Sequence, residues 1–176
     1  KLYAPQGIGA LYVRRGVMLE PLHHGAGHQQ NRRSGIEPAA MIVGLGVSAE
    51  IAASRDDLAR LTGLRDRLYN GLSLSLGDQV VLLGHPTNRL PSTLCVGFRG
   101  RIGADVLAAC PDICASTGAA CHSGRRERSA TRAAMNVPEE LAFGAVRFSV
   151  GRHTTESEID AAVNQLVAAL SNTGKA

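Results

Sequence analysis

The most informative stretch of the sequence is residues 114–152, which read C-A-S-T-G-A-A-C-H-S-G-R-R-E-R-S-A-T-R-A-A-M-N-V-P-E-E-L-A-F-G-A-V-R-F-S-V-G-R. It predicts a short apolar strand, a turn of small residues carrying Cys121, a basic mobile loop, a short helix, and a strand carrying Arg147. The thiolate is the reactive form of cysteine, and nearby cations lower the pKa of a thiol. Four basic side chains follow within seven residues of Cys121: His122, Arg125, Arg126 and Arg128. A reactive cysteine on a basic loop is one interpretation, and an inert cysteine beside a solvated charge run is the other.

Around this stretch, strand and helix patterns alternate through the second half of the chain. We predict strands at 80–83, 93–98, 113–116 and 146–150, and helices near 103–109 and 129–135. A last helix follows Thr155, which stands three residues before Glu158 in the spacing of a capping box. Interleaved strands and helices favour a layered α/β or α+β fold. We divide the chain into two domains, residues 1–65 and residues 66–176.

The first domain opens with a Pro-x-Gly-x-Gly turn, which predicts a loop entering a buried strand at 10–13. Because Lys1 leads directly into this strand, we expect further residues to precede it. Residues 20–37 contain three Gly, three His and two Arg without apolar periodicity, so they predict a polar loop that either contacts a ligand or only connects elements. A helix beginning at Pro38 is apolar nearly all round and is predicted to be buried. A second helix carries leucines at spacings of three and four from Leu58 to Leu72.

Composition excludes several functional classes. The 176 residues are 44% hydrophobic and 19% charged, with a formal net charge of +4, which is typical of a folded domain. The basic residues are scattered and only six Tyr and Phe are present, so we expect no nucleic-acid partner. No apolar run is long enough for a membrane span, and no secretory signal is visible. The four cysteines and six histidines show no metal-ligand spacing, so we expect no metal site and a cytoplasmic location.

Five segments, in this order, resemble the C-terminal half of a cysteine desulfurase or selenocysteine lyase. They are K-L-Y-A-P-Q-G-I-G-A-L-Y-V-R-R at 1–15, H-G-A-G-H-Q-Q-N-R-R-S-G-I-E-P at 24–38, A-M-I-V-G-L-G-V-S-A-E at 40–50, S-T-G-A-A-C-H-S at 116–123 and V-R-F-S-V-G-R-H-T-T-E-S-E-I-D at 146–160. These enzymes form the class V branch of the fold-type I pyridoxal-phosphate enzymes. The resemblance implies the end of the large cofactor-binding domain, followed by an α+β small domain that carries the catalytic cysteine loop.

The resemblance also implies roles for three residues. Lys1 matches the lysine that binds pyridoxal 5'-phosphate covalently and moves protons, which requires an amine. Cys121 matches the cysteine that takes up sulfur as a persulfide. Arg147 matches the arginine that binds the substrate carboxylate, a task suited to the planar guanidinium. The implied substrate is L-cysteine or L-selenocysteine. The motif Ala-Cys-His-Ser is more similar to that of the selenocysteine lyases. A homodimer is implied as well, and the basic loop suits a sulfur-acceptor scaffold protein in iron–sulfur cluster or thio-cofactor assembly.

Two departures from the family pattern keep an alternative open. Ile36 stands where the family usually has a threonine whose hydroxyl reaches the cofactor phosphate, and its loss removes about 1–3 kcal/mol of binding if nothing replaces it. The N-terminal half of the catalytic domain, with the groups that hold the cofactor ring, is not part of this sequence. The chain by itself is therefore either part of an active enzyme or a catalytically silent domain that docks a partner chain or a sulfur acceptor.

Overall fold

A computed structural model describes residues 2–54, 57–118 and 129–172, and it mixes helices with one small sheet, as predicted. The chain divides into two compact units, Lys1–Arg55 (unit 1) and Asp56–Ala176 (unit 2). This division lies ten residues before the domain boundary that we placed after residue 65, a position within a long helix. The assignment of domains to a longer enzyme stays a prediction.

Unit 1 contains two helical elements, α1 (His28–Asn31) and α2 (Ala39–Ala53). α1 is a single turn in which three consecutive non-glycine residues, Gln29 to Asn31, have φ between 52° and 61°. The strand predicted at 10–13 is wrong, because Leu11 and Tyr12 are 79% and 87% exposed and form no ladder. A strand needs a neighbour for its backbone hydrogen bonds, and the described part of unit 1 offers none.

The helix predicted from Pro38 is present as α2, but the prediction that it is buried is wrong for this chain. None of its residues is buried. Its large apolar side chains are all partly or mostly exposed: Met41, Ile42, Val43, Val47 and Ile51. A helix that is apolar on every side needs neighbours on every side. The other described residues of unit 1 are mostly loop and do not supply them.

Unit 2 is built from five α-helices, a 3-10 turn and three strands within the described ranges. They are α3 (Leu58–Leu76), the 3-10 turn η1 (Gly77–Gln79), β1 (Val80–Leu82), β2 (Thr93–Phe98), α4 (Gly103–Ala108), α5 (Ala130–Ala134), α6 (Glu139–Phe143), β3 (Ala145–Ser149) and α7 (Glu156–Asn172). The strand predicted at 113–116 reduces to a single bridge at Ser116. No helix in these ranges combines the length and the apolar character needed to cross a membrane.

The three strands form an antiparallel sheet in the order β1-β2-β3. Side chains alternate along each strand, so Leu94, Val96 and Phe98 of β2 lie on one face. This face packs against the apolar stripes of α3 and α7, and the cluster includes the fully buried Leu72 and Leu166. Burial of this kind is the main source of stability in a domain of this size.

The opposite face of the sheet, here called the second face, carries Val81, Cys95 and Ala145. Ala145 lies within a smaller buried cluster with Leu83, Val137, Leu141 and Ala142, and Val81 and Cys95 pack against that cluster. α6 comes close to the sheet here, because a Cβ added at Gly97 would lie 2.9 Å from the carbonyl oxygen of Leu141. The cluster covers part of the second face, and Arg147 and Ser149 of β3 on the remaining part are exposed.

The predicted capping box at the start of α7 is confirmed. The Thr155 N–H donates to Glu158 Oε2 at 2.8 Å, and the Glu158 N–H donates to Thr155 Oγ1 at 3.3 Å. The Thr155 N–H and the Thr155 hydroxyl, which donates to Glu158 Oε2 at 3.1 Å, together hold the pKa of Glu158 below its ordinary value. Arg67 of α3 then pairs with Asp160 and Glu156 of α7, which fixes the two helices side by side on their exposed edge.

Candidate active site

Of the three site residues predicted from the sequence, the structure describes Arg147 on β3. Lys1, Cys121 and the basic run at 122–128 lie outside the described residues. The roles of Lys1 and Cys121 therefore stay predictions. The described chain ends at Gly118, three residues before Cys121, and resumes at Ser129.

Arg147 lies on the second face of the sheet. Its neighbours in β3, Val146 and Phe148, are buried in the main core, while Arg147 itself is exposed. Alternation along the strand turns its side chain away from α3 and α7. The position follows from the sequence, because V-R-F-S-V has apolar residues at every second place around the arginine.

The backbone of Arg147 is joined to Ser116, which lies five residues before Cys121. The Arg147 N–H donates to the Ser116 carbonyl at 2.7 Å, and the Ser116 N–H donates to the Arg147 carbonyl at 3.1 Å. Ser116 Oγ and Gly118 then exchange hydrogen bonds that close a tight turn. The segment leading to Cys121 thus starts directly beside the strand of Arg147.

Cys95 of β2 is the cross-strand neighbour of Arg147. Both backbone groups of Arg147 are used by Ser116, so Cys95 and Arg147 form a non-hydrogen-bonded pair. Such pairs bring the Cα atoms to about 4.5 Å, closer than hydrogen-bonded pairs. The half-buried Cys95 thiol therefore lies next to the base of the Arg147 side chain.

Three arginines surround the Cys95 thiol. Burial raises the pKa of Cys95, and the charge and hydrogen bond of Arg132, together with the charges of Arg147 and Arg89, oppose that rise. Arg132 also donates to two carbonyls, from Nη2 to Thr117 at 2.7 Å and from Nη1 to Ala142 at 3.1 Å. The part of the second face around the exposed Arg147 is consequently positive, and it suits an anion such as a carboxylate.

Arg89 is a half-buried arginine whose charge acts on Cys95. Its Nη2 donates to the Leu83 carbonyl at 2.7 Å. Its Nε is buried and has no hydrogen-bond partner among the described residues. An unpaired N–H is uncommon for a buried donor.

The sequence analysis missed Cys95, Arg89 and Arg132 as members of this site. One signal was available for Cys95, because Leu94, Val96 and Phe98 alternate with it and so place Cys95 on the other face of β2. Arg89 precedes β2 in a loop, and Arg132 lies on a helix of only five residues. No spacing in the sequence connects either of them to Arg147.

Two positions of the loop at 20–37 in unit 1, Ser34 and Ile36, bear on phosphate binding. The Ser34 hydroxyl donates to the backbone carbonyls of His23 at 3.1 Å and His24 at 3.0 Å. Ile36 is 93% exposed and has no polar group. These two side chains therefore offer no hydroxyl proton to a phosphate.

No group of three or more His, Cys, Asp or Glu residues within the described ranges is arranged to hold a metal ion. Cys110 is buried, and its thiol donates to the Gln165 carbonyl at 3.7 Å, while Cys114 is exposed. The three described cysteines are therefore separate free thiols in different surroundings.

Comparison with known proteins relates this geometry to a family. The chain is 42% identical over 174 residues to cysteine desulfurase IscS of Haemophilus influenzae, an alignment covering 97% of this chain and 43% of that protein. It is 41% identical over 170 residues to cysteine desulfurase NifS of Azotobacter vinelandii, covering 94% of this chain and 42% of that protein. The chain thus spans less than half the length of these curated relatives.

Solved structures agree with the sequence relatives. A NifS-like protein, 29% identical, superposes with a TM-score of 0.84 over 97% of this chain and 44% of that chain. A NifS-like protein from Rickettsia africae, 21% identical, gives a TM-score of 0.75 and shows the fold alone. The profile of the family described as aminotransferase class V, whose members use pyridoxal phosphate, matches residues 1–162. This chain belongs to the class V aminotransferase family.

Proposed function

We propose that the protein containing this chain is a pyridoxal-phosphate-dependent cysteine desulfurase, which converts L-cysteine to L-alanine and holds the sulfur as a persulfide on Cys121. Relatives with that name are 41–42% identical over nearly the whole chain. The observation that carries the proposal is the backbone bridge between Ser116 and Arg147. It holds the proposed substrate anchor beside the segment that leads to Cys121.

Arg147 is proposed to bind the carboxylate of the substrate. Its side chain is exposed on the second face, and the salt bridges formed by the described residues do not include it. A guanidinium that is not already paired can bind a carboxylate through two parallel N–H···O bonds. The neighbouring charges of Arg132 and Arg89 would add to the attraction for an anion.

The described thiols support Cys121 as the nucleophile. Burial raises the pKa of Cys95 and of Cys110, so both stay protonated and weakly nucleophilic at neutral pH. Cys114 is exposed but has no arginine within ten residues on either side in the sequence. Cys121 is followed by a histidine and three arginines, which favour the thiolate.

The proposed chemistry assigns one step to each residue. The Cys121 thiolate attacks the substrate sulfur, so an S–S bond forms while the C–S bond breaks and leaves its electron pair on the substrate carbon. In this reaction sequence Lys1 first removes the proton of the substrate α-carbon. The β-carbon that loses its sulfur takes up a proton, Lys1 returns a proton to the α-carbon, and alanine is released. Pyridoxal phosphate, when bound, supplies the electron sink for charge at the substrate α-carbon. An acceptor thiol then removes the outer sulfur and restores Cys121.

Partners and location follow from the same proposal. The substrate is L-cysteine, and selenocysteine differs from it only in the chalcogen atom that Cys121 attacks. We propose a homodimer, a sulfur-acceptor scaffold protein that contacts the basic residues 122–128, and a cytoplasmic location. The acceptor would present an acidic surface, because attraction between opposite charges speeds encounter.

The test is to purify the protein that contains this chain with pyridoxal phosphate and compare Cys121→Ser with the unsubstituted protein. Alanine formation from L-cysteine should fall by roughly 10³-fold or more, because the attacking atom is removed. The yellow absorption of the bound cofactor should not change, since the serine leaves Lys1 intact. Alanine release and visible absorbance measure the two effects separately.

Cys114→Ser serves as the matched control, because it removes an exposed thiol seven residues earlier in the same stretch. Its alanine formation should equal that of the unsubstituted protein. The proposal is wrong if Cys121→Ser retains full activity, or if the unsubstituted protein forms no alanine from cysteine or selenocysteine. In the latter case the silent docking domain becomes the better interpretation.

A further inference from the structure

The Arg132 side chain connects three parts of unit 2 that are distant in sequence. From α5 its guanidinium donates to the carbonyl of Thr117 at 2.7 Å and to the carbonyl of Ala142 at 3.1 Å. Its charge also acts on the Cys95 thiol of β2, where it opposes the rise in pKa that burial causes. Thr117 lies just before the described chain breaks off, and Ala142 lies in α6, immediately before the strand of Arg147.

The bond to Thr117 matters because of where Thr117 lies. It is four residues before Cys121, and Arg132 is eleven residues after it. The same short segment is already attached to β3 through the paired hydrogen bonds of Ser116 and Arg147. Arg132 therefore provides a second attachment, from the C-terminal side of the stretch that contains Cys121.

The type of side chain is suited to this task. A guanidinium is planar and presents donors in a fixed fork, so Arg132 can reach two carbonyls at once. A lysine ammonium is a compact charge on a flexible stem and would satisfy one carbonyl at a time. The carbonyl left without its donor would be partly buried and unpaired, which is unfavourable.

We propose that Arg132 is a positioning residue, which fixes the start of the Cys121 segment relative to the strand of Arg147 by binding the carbonyls of Thr117 and Ala142 together. This inference rests on the proposed function, because it assigns Cys121 and Arg147 to the same reaction. Arg132 acts through the backbone that it holds, and the reacting atoms are left to Cys121, Lys1 and Arg147.

The test uses the full-length holoenzyme with Arg132→Lys and Arg132→Gln. We expect kcat for alanine formation to fall about 10- to 100-fold, the cost of a small displacement of a reacting group. In Arg132→Lys, which keeps the positive charge beside Arg147, the KM for cysteine should stay within about threefold. Arg147→Ala should do the opposite and raise KM by roughly 10- to 100-fold, since it removes a charged hydrogen-bond partner.

Arg101→Gln is the control, because Arg101 is also half-buried and donates from Nη2 to one backbone carbonyl, that of Leu170, at 3.0 Å. It should leave both kcat and KM unchanged. Equal losses in Arg101→Gln and Arg132→Gln would overturn the proposal. The proposal would also be wrong if kcat and cofactor colour fell together with the folded fraction seen by thermal melting.

A second measurement separates this inference from the proposed function. Hydrogen exchange of the Ser116 and Arg147 amides, which bond to each other, should be about tenfold faster in both Arg132 variants and unchanged in Arg101→Gln. This readout does not require desulfurase activity. If the unsubstituted protein formed no alanine but the exchange changed as expected, the proposed function would fail and the positioning role would stand. Unchanged exchange in both Arg132 variants would overturn the positioning role.

Discussion

Two helices of similar length, α2 in unit 1 and α7 in unit 2, distribute their apolar side chains differently. α7 buries Ile159, Leu166 and Leu170 along one stripe, and unit 2 itself supplies the neighbours through α3 and the sheet. α2 is apolar on all sides and buries nothing. The comparison teaches that the fraction of a helix's circumference that is apolar indicates how many packing neighbours the helix needs. One stripe needs one neighbouring layer, and a helix that is apolar all round needs several.

The largest expected difference between the two helices is the cost of removing one apolar side chain. Leu166→Ala in α7 should lower the free energy of unfolding by about 2–5 kcal/mol, because Leu166 is fully buried and leaves a cavity. Ile42→Ala in α2 should cost about 1 kcal/mol or less in the 176-residue chain, because Ile42 is 43% exposed. Urea unfolding followed by circular dichroism measures both. Equal losses at the two positions would contradict the contrast between the units.

A second difference is the space available for one added methyl group. Gly144→Ala should destabilise unit 2 by about 1–3 kcal/mol or more, because its Cβ would lie 2.0 Å from the Phe98 carbonyl oxygen. Gly46→Ala in α2 meets no atom within 4 Å and should stabilise the helix by up to about 1 kcal/mol. Thermal melting and helical circular dichroism report the two changes.

Gly63→Ala in α3 is the control for this pair. Gly63 belongs to the packed unit, yet an added Cβ there meets nothing within 4 Å. It should behave like Gly46→Ala and be neutral or stabilising. A loss at Gly63 as large as that at Gly144 would show that contact with Phe98 is not the cause.

The smallest expected difference concerns the helix starts. α7 has a capping box, whereas α2 begins after Pro38 without a side-chain cap. Thr155→Val should cost about 1 kcal/mol, because it removes the acceptor for the Glu158 N–H. Thr62→Val, at an exposed position inside α3, should change stability by only a few tenths of a kcal/mol.

The capping box also gives a pH dependence with a defined sign. The folded-state pKa of Glu158 is lowered by its hydrogen bonds with Thr155. Its contribution is therefore present above the unfolded-state pKa and is lost as the pH falls through the folded-state pKa. In Thr155→Val the pKa of Glu158 should rise only part of the way toward its ordinary value, because valine removes the hydroxyl donor and keeps the backbone N–H donor. NMR titration of the carboxyl group measures the change. An unchanged pKa would contradict a contribution of the Thr155 hydroxyl to this shift.

Much of unit 2 could be predicted from the sequence, because its signals are local. The strand at 93–98 matches β2 at both ends, since Leu94, Val96 and Phe98 alternate and turn residues precede them. The capping box was readable from Thr155 and Glu158 alone. α6 was missed because five residues are too few to show a helical period. The strand at 10–13 was wrong because an apolar run does not reveal whether a neighbouring strand exists.

The site was less predictable than the fold. The position of Arg147 on an open face follows from alternation in β3, and the resemblance supplied its role. The convergence of Arg89, Arg132 and Cys95 depends on register between β2 and β3 and on the packing of α5, which are tertiary facts. The roles predicted for Lys1 and Cys121 come from sequence motifs alone, and the Cys121→Ser experiment tests the role of the cysteine.

The hydrogen-bonded bridge between Ser116 and Arg147 has a mechanical consequence for the proposed reaction. The two residues exchange both backbone hydrogen bonds. The proposed substrate anchor, Arg147, is therefore joined directly to the start of the segment that leads to the proposed nucleophile, Cys121. A displacement of the Arg147 backbone would therefore be transmitted directly to Ser116, and a displacement of Ser116 would be transmitted to Arg147.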